Sequence, residues 1–328
     1  MKQYETVHPA PLSTDDLPRL LVEESPAFAA ARAFFTPELV QIDRAAASAL
    51  ASRMTSGTPR REMDTCEEWG SEERAFVPYF LLLNAVNFKF WSIAPTGDLC
   101  RYEAWGATGS VAMSRGMRGF FHAVERLWRD PNVSEEDARR LVEENVDASF
   151  PGIPDRAARV RCLLDVAGRP HLLRSVSRAI SRRVHDRGRL TPVDILSLVE
   201  SFPLAYGSDP FCKRAQLALM MIAARYSGYG NRIALPGFSA AADYQLPKVL
   251  RAEGVLVYAP ELSEWVDNSV ELASGSPEET AIRSATVLAC DLLVKLSSLD
   301  TVTVDHWLWT RREKYDSARF HLTSTTDY

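Results

Sequence analysis

The 328-residue chain is 46% hydrophobic and 25% charged, which is typical of a globular protein with a full core and excludes a disordered chain. Its formal net charge of −5 argues against a broad, nonspecific grip on nucleic acid. No apolar run approaches the roughly 20 residues that cross a bilayer, no Sec-type signal opens the chain, and the cysteines form no C-x-x-C pair. We therefore expect a soluble, cytoplasmic protein without a disulfide framework or a zinc site.

Helix start signals recur along the chain. The earliest is Thr36, a candidate N-cap for a helix that opens at Pro37 and continues through the good helix formers of residues 45–54. Later starts share a capping residue followed by an acidic first turn, and they lie at Ser134, Thr191 and Ser276. Between the starts, apolar residues recur at steps of three and four, which is typical of core-facing helices.

Strand-like runs are few. Residues 84–93, 255–258 and 299–304 are each compatible with a short strand or with a piece of helix. No internal repeat and no Pro- or Gly-rich linker divides the chain. We therefore predict a mainly α protein with a few short strands, in which residues 1–328 form a single domain and residues 1–60 form its helical N-terminal part.

The first segment that mixes aromatic and polar residues covers residues 84–91, N-A-V-N-F-K-F-W. Its alternation of polar and aromatic side chains is compatible with a plain amphipathic strand. The functional alternative is that Phe88, Phe90 and Trp91 clamp a flat ring whose edge is read by the amide of Asn87. Both interpretations stay open from the pattern alone.

A stripe of arginines follows at four-residue spacing. Arg174, Arg178 and Arg182 fall on one helical face. Three more arginines continue the run at Arg183, Arg187 and Arg189. Such a stripe is able to touch RNA phosphates, but the acidic total favours a solvated helix face with snorkelling side chains. Direct binding of nucleic acid is therefore not expected.

The second mixed segment covers residues 208–217 and places Lys213 and Arg214 before an apolar run. Two cations near a helix N-terminus oppose the helix dipole, which is a mild cost unless an anion binds there as well. An ion pair with Asp209 is an equally favoured alternative. The third segment, residues 240–250, crowds small residues beside Asp243, so that its carboxylate is expected in a partly dry site or, alternatively, as a helix cap.

Together these segments resemble the queuosine salvage protein family in order and in separation. The matching stretches are N-F-x-F-W at 87–91, F-P at 202–203, K-R-A-Q at 213–216, A-D-Y-x-L-P-x-V-L at 242–250, a stretch similar to E-x-E-I-R at 279–283 and D-x-x-L-W at 305–309. The resemblance covers roughly residues 77–309, with a weaker tail at Phe320, His321 and Tyr328. It implies hydrolysis of the bond between ribose and the 7-deazaguanine base of queuosine 5′-phosphate, on a helical fold similar to that of DNA glycosylases.

Carried over to matching positions, the resemblance makes Asp243 the catalytic carboxylate. N-glycoside cleavage has an oxocarbenium-like transition state, which a fixed carboxylate stabilises while it orients the attacking water. A 7-deaza base lacks the ring nitrogen that purine hydrolases usually protonate, so stacking and edge contacts must stabilise the departing base. The predicted substrate-binding residues are Asn87, Phe88, Phe90, Trp91, Lys213, Arg214, Tyr244, Glu279 and Asp305.

Among these, Asp305 is assigned to the base edge, and Lys213 and Arg214 are assigned to the phosphate. For Glu279, a capping box with Ser276 is an equally favoured alternative. No metal or organic cofactor is needed for this reaction, and the predicted partner is a small nucleotide or nucleoside.

The pattern departs from the family where its pocket is expected. The departures lie at Asn84, Ser110, Val111, Ala241, Gln245 and Ala281. Two alternatives therefore stay open. One is an enzyme of the same fold that acts on another purine or 7-deazapurine nucleotide, and the other is a nucleotide- or RNA-binding protein without turnover.

Overall fold

The structure is a computed structural model that describes residues 24–56, 73–102, 120–121, 123–228 and 232–328. The departures at Ser110 and Val111 lie outside the described residues. The described chain is mainly helical and carries two small two-stranded sheets, which confirms the predicted fold class. None of the described helices is both long enough and apolar enough to cross a membrane.

Helices dominate the described chain, and short strands interrupt them at four places. In chain order, the helices are α1 (Pro26–Phe34), α2 (Arg44–Ser56), α3 (Glu73–Ala85), α4 (Arg126–Arg129), α5 (Glu135–Ser149), α6 (Arg156–Val166), α7 (Pro170–Arg187), α8 (Pro192–Ser201), α9 (Pro203–Tyr206), α10 (Lys213–Gly228), α11 (Gln245–Ala252), α12 (Pro260–Asp267), α13 (Pro277–Ser297), α14 (Thr301–Thr310) and a 3₁₀ helix (Arg312–Tyr315). The strands are β1 (Val40–Ile42), β2 (Trp91–Ile93), β3 (Leu99–Arg101) and β4 (Leu256–Tyr258).

The chain divides into two compact units. The first unit contains residues 1–63 and 236–325, and the second contains residues 64–235 and 326–328. The single domain predicted for residues 1–328, and its fold likeness to DNA glycosylases, stay predictions.

The first unit is built around α13, whose buried face is lined by small residues. Ala281, Ala285 and Ala289 recur every four residues and are fully buried, so α1 and α2 pack closely against this helix. Ser276 caps α13 by accepting a hydrogen bond from the backbone N–H of Glu279 at 3.2 Å, which confirms the predicted start. β1 pairs antiparallel with β4, with Val40 opposite Tyr258.

The helix predicted to open at Pro37 is wrong. Residues 36–40 form a turn instead, in which the N–H groups of Leu39 and Val40 both donate to the carbonyl of Thr36 at 3.0 Å. Val40 then enters β1 as a fully buried residue, and α2 begins only at Arg44. Pairing with β4 outweighs local helix propensity here, since propensity is a weak prior beside tertiary burial.

Two of the ambiguous runs in this unit are now assigned. Residues 255–258 contain β4, whereas residues 299–304 lead into α14. Asp300 caps α14, because its carboxylate accepts a hydrogen bond from the N–H of Thr303 at 2.8 Å.

The second unit packs α3 against α10, with α6 and α7 beside α3. Aromatic edges interlock across this core: the rings of Phe76 and Tyr226 lie 4.9 Å apart and nearly perpendicular. The predicted starts at Ser134 and Thr191 are confirmed, since Ser134 accepts from the N–H of Asp137 and Thr191 forms a capping box with Asp194. The run 84–93 ends α3, turns, and continues into β2.

Candidate active site

Asp243 directly follows a buried stretch of small side chains. Ala240, Ala241 and Ala242 are buried, and α11 starts at Gln245. The Asp243 Oδ1 atom accepts hydrogen bonds from the N–H of Gln245 at 2.7 Å and of Leu246 at 3.2 Å. The side chain therefore caps α11, as the helix-cap alternative predicts. The helix dipole stabilises its negative charge.

The other oxygen of this carboxylate differs from the first. Asp243 is half-buried, and its Oδ2 atom accepts no hydrogen bond from the described residues. One oxygen thus fixes the orientation of the group, while the second keeps its acceptor capacity for a bound molecule. A cap and a chemical role are compatible for the same residue.

The loop before Asp243 is held from one side by Arg283 of α13. The Arg283 Nε atom donates to the carbonyl of Ala242 at 3.1 Å, and one turn earlier Glu279 Oε1 lies 3.7 Å from Arg283 Nη1. Both charged side chains are almost completely buried. A buried pair of this kind is costly to break, because removal of one side chain takes the ion-pair partner from a buried charge.

Glu279 also serves the start of its own helix. Its Oε2 atom accepts a hydrogen bond from the N–H of Gly275 at 3.2 Å, while its own N–H is capped by Ser276. Ser276 therefore caps the N–H of Glu279 as the capping-box alternative predicts, whereas the Glu279 carboxylate binds the N–H of Gly275 instead of that of Ser276 and pairs with Arg283. Contact between Glu279 and a substrate stays a prediction.

Asp305 of α14 holds the same loop from the other side. Its Oδ2 atom accepts a hydrogen bond from the backbone N–H of Ala241 at 2.8 Å, and the side chain is buried. Burial, and then the charge of Asp305, raise the pKa of the Cys290 thiol well above its usual value. The loop is thus attached through one N–H and one C=O on the two residues that precede Asp243.

Further side chains of the first unit surround this loop. The rings of Tyr244 and Phe320 lie 4.8 Å apart and tilted by 32°. His321 is fully buried, and burial together with the charge of Arg283 lowers its pKa to about 3, so the ring is neutral near pH 7. Burial lowers the pKa of the Arg312 guanidinium. The negative charges of Glu313 and Asp243 act in the opposite direction and raise this pKa.

The predicted residues at 87–91 lie in the second unit, where two guanidinium groups lie close to the ring of Phe88. Arg159 Cζ is 4.2 Å and Arg214 Cζ is 5.2 Å from its centroid, and the ring is only 1% exposed. Trp91 is buried as well, whereas Phe90 is half-buried. Of the three aromatic residues, Phe90 has the ring most open to a ligand.

The Asn87 side chain is tied to the end of α3. Its Nδ2 atom donates to Asn84 Oδ1 at 3.1 Å, and Asn84 Nδ2 donates to the carbonyl of Phe80 at 2.9 Å. Asn84, the first departure from the family pattern, is therefore buried in a local amide network.

Lys213 and Arg214 also reach the C-terminal end of α3. Lys213 Nζ donates to the carbonyl of Asn87 at 3.0 Å, and Arg214 Nη1 donates to the carbonyl of Ala85 at 2.8 Å. Cations at a helix C-terminus complement its dipole. Asp209 accepts hydrogen bonds from the N–H groups of Phe211 and Lys213, so it caps α10.

Arg214 keeps donor capacity in this position. Its Nε and Nη2 atoms are buried and make no hydrogen bond within the described parts of the chain. Buried donors of this kind usually have a partner, which includes water or a bound molecule.

The structure thus groups the predicted residues by unit. Asp243, Tyr244, Glu279 and Asp305 lie in the first unit, and Asn87, Phe88, Phe90, Trp91, Lys213 and Arg214 lie in the second.

Sequence reasoning gave no role to two arginines of this region. Arg283 closes the stretch at 279–283 that resembles E-x-E-I-R, and its four-residue spacing from Glu279 is a signal that could have given it a role. Arg159, which donates to the carbonyls of Phe88 and Lys89, lies among ordinary surface-type residues and gives no such signal.

Comparison with known proteins places all of these residues inside one family match. A family model described as queuosine salvage protein matches residues 68–328, a range that includes every predicted site residue. The chain is 29% identical over 307 residues to a queuosine 5′-phosphate N-glycosylase/hydrolase of Sphaerobacter thermophilus, covering 86% of this chain and 90% of the relative. Relatives of the same name from Dictyostelium discoideum and Mus musculus are each 24% identical, covering 72% and 79% of this chain and 72% and 83% of their own.

Proposed function

The chain belongs to the queuosine salvage protein family, and on that basis we propose that it hydrolyses the N-glycosidic bond of queuosine 5′-phosphate. The proposed products are ribose 5-phosphate and queuine, a 7-deazaguanine base that becomes available for reinsertion into transfer RNA. The names of the relatives support this reaction type. Within this chain, the observation that carries the proposal is the two-sided attachment of the loop that ends at Asp243.

The reaction breaks the bond between the anomeric carbon and the ring nitrogen of the base, and the bonding electrons leave with the base. The oxygen of water adds to the anomeric carbon, and one proton of that water ends on the released base. Positive charge develops on the sugar in between, so a preorganised carboxylate beside it lowers the barrier.

Asp243 is suited to that role because its orientation is fixed before a substrate arrives. The α11 cap uses Oδ1, which leaves Oδ2 to face the anomeric carbon or to accept a proton from the attacking water. Arg283 and Asp305 act in this proposal as positioning residues, since each binds the backbone just ahead of Asp243. A displacement of about 1 Å is enough to cost a large factor in rate, on the order of 100-fold.

Lys213 and Arg214 stay the residues that we propose for a phosphate group. The buried Nε and Nη2 donors of Arg214 support this assignment, because a guanidinium binds phosphate oxygens through pairs of N–H groups. Phe90 and Tyr244 stay the proposed stacking residues, each within its own unit.

Gln245 offers a further contact for the base. Its Oε1 atom is buried and accepts no hydrogen bond from the residues described, and an amide oxygen matches the N–H groups on the edge of a guanine-type base.

The direct test is incubation of the full chain with queuosine 5′-phosphate and detection of free queuine by mass spectrometry. Asp243→Asn is expected to lower the rate of release by at least about 100-fold, because the amide cannot stabilise the cationic sugar. Asparagine is itself a good N-cap, so the variant is expected to fold.

Asp300→Asn provides the matched control, since it makes the same change at the N-cap of α14. It is expected to keep wild-type turnover. Wild-type turnover in Asp243→Asn would remove that residue from the mechanism. If the wild-type protein releases no base from queuosine 5′-phosphate, a panel of other purine and 7-deazapurine nucleotides decides whether the reaction or only the substrate is wrong.

A further inference from the structure

A cavity of about 420 Å³ lies in the second unit against one face of α7. It shares no residue with the candidate active site. Its walls include Pro131, His171, Arg174, Ser175, Arg178 and Arg182. Cavities of roughly 300 Å³ or more are large enough for a small ligand.

The charges along this cavity are of one sign. Arg174, Arg178 and Arg182 follow one another at four-residue spacing, so their side chains lie on the same helical face. Arg178 and Arg182 are exposed, and neither makes a hydrogen bond or an ion pair with any residue that the structure describes. No carboxylate is among the lining residues described, so three like charges border one concave space.

Neighbouring arginines of the same region show that carboxylate partners exist nearby. Arg169 pairs with Asp165, and Arg183, which follows Arg182 directly, pairs with Asp194. Arg178 and Arg182 make no such ion pair among the described residues. The sequence pattern alone favours a solvated face here, but a solvated face does not require a cavity between its cations.

Arg174 forms the fixed part of this wall. Its Nη1 atom donates to the carbonyls of Leu127 at 2.6 Å and Asp130 at 2.9 Å, and its Nη2 atom donates to the carbonyl of Pro131 at 3.2 Å. Burial, and then the charge of Arg178, lower the pKa of its guanidinium, while the charge of Asp130 acts in the opposite direction. An anion in the cavity would relieve this repulsion.

His171 and Ser175 add neutral polar groups at the same place. Arg174 Nη2 lies 2.9 Å from His171 Nδ1, and because a guanidinium only donates, Nδ1 is the acceptor and Nε2 carries the ring proton. The His171 ring and the Ser175 hydroxyl therefore bring one donor each beside the arginines.

We propose that this cavity binds a small anion with two or more linked phosphate groups, such as the triphosphate part of a nucleotide. Arg178 and Arg182 are separated by one turn, a rise of about 6 Å. Two guanidinium groups one turn apart are able to share one phosphate group, but the three arginines extend over two turns, a rise of about 12 Å, and this length favours linked phosphate groups. Arginine forks bind phosphate oxygens in pairs, which favours phosphate over a single carboxylate as the ligand.

The test is titration calorimetry of the full chain with sodium tripolyphosphate, with inorganic orthophosphate measured in parallel. Tripolyphosphate is expected to bind at least tenfold more tightly than orthophosphate. The double variant Arg178→Gln/Arg182→Gln is expected to lose at least tenfold in affinity for tripolyphosphate. The melting temperature of each variant, measured in the same buffer, separates a loss of binding from a loss of folding.

Arg187→Gln/Arg189→Gln is the matched control, because both residues are exposed and lie at and beyond the end of α7, outside the cavity. It is expected to bind tripolyphosphate like the wild type. Equal losses in both double variants, or tighter binding of a single-stranded RNA 20-mer than of tripolyphosphate, would show a general polyanion surface and overturn the proposal. Absence of tripolyphosphate binding at millimolar concentration would overturn it as well.

Discussion

Arginine has opposite roles in two regions of this molecule. Arg283 in the first unit is buried, bound to the Ala242 carbonyl and paired with Glu279. Arg178 and Arg182 in the second unit are exposed and border a cavity without a carboxylate among its described residues. Charge placed on a backbone carbonyl fixes local geometry, whereas charge left on a concave surface is available for a ligand.

Loss of a charge is therefore expected to be most costly at Arg283. Arg283→Met is expected to lower the free energy of unfolding by about 3–5 kcal/mol, because it removes the cation that pairs with the buried carboxylate of Glu279. Urea denaturation followed by circular dichroism measures this effect. The double variant Arg283→Met/Glu279→Met is expected to be more stable than the single variant, since it removes both charges. A cost below about 1 kcal/mol for the single variant would contradict the assignment of a buried pair.

His321 is expected to make the free energy of unfolding depend on pH. Its folded-state pKa of about 3 lies below the ordinary histidine value of 6.5, so between these values the unfolded chain binds a proton that the folded chain does not. Stability from this group is complete above pH 6.5 and falls as the pH drops toward 3, by up to about 1.4 kcal/mol per pH unit.

The measurement is urea denaturation at pH values from 7 to 4. The stability of His321→Gln is expected to fall less steeply than that of the wild type over this range, because glutamine does not titrate. His171→Gln, at an exposed position of α7, is the matched substitution. Identical slopes for His321→Gln and the wild type would show that His321 does not carry the effect.

Substitution of Asp305 is expected to lower the free energy of unfolding by less than substitution of Arg283. Asp305→Ala leaves the buried N–H of Ala241 without its acceptor, which is expected to cost about 1–3 kcal/mol. If Asp305 positions Asp243, base release by this variant falls mainly in kcat, and Asp305→Asn restores much of it by keeping an acceptor oxygen. A loss in Asp305→Asn that appears chiefly in KM would instead indicate direct contact with the base.

Sequence patterns were enough for the helical fold and for several helix starts. Ser134, Thr191 and Ser276 cap helices as predicted, because capping depends on residues within one turn. The helix at Pro37 could not be excluded from sequence, since the pairing of Val40 with Tyr258 joins residues that are more than 200 positions apart.

The sequence was enough to propose residues for the candidate site, but it did not give their geometry. Asp243 stood out from its motif, yet its cap on α11 and its backbone supports required the fold. Phe88 matched a stacking residue by pattern, whereas the structure buries its ring close to the guanidinium groups of Arg159 and Arg214. Nothing local to residues 87–91 indicates the approach of either guanidinium, because both come from other helices.

The smallest predicted effect has the opposite sign. Arg178→Gln/Arg182→Gln is expected to raise the free energy of unfolding slightly, by about 0.2–0.5 kcal/mol for each like-charge pair removed, because the two arginines repel each other and Arg174 across single helical turns. Thermal unfolding at low ionic strength measures this, and added salt is expected to shrink the difference by screening. Destabilisation by the same double variant would mean that these side chains hold the fold in the way Arg283 does, and the distinction between a fixing charge and an available one would fail at α7.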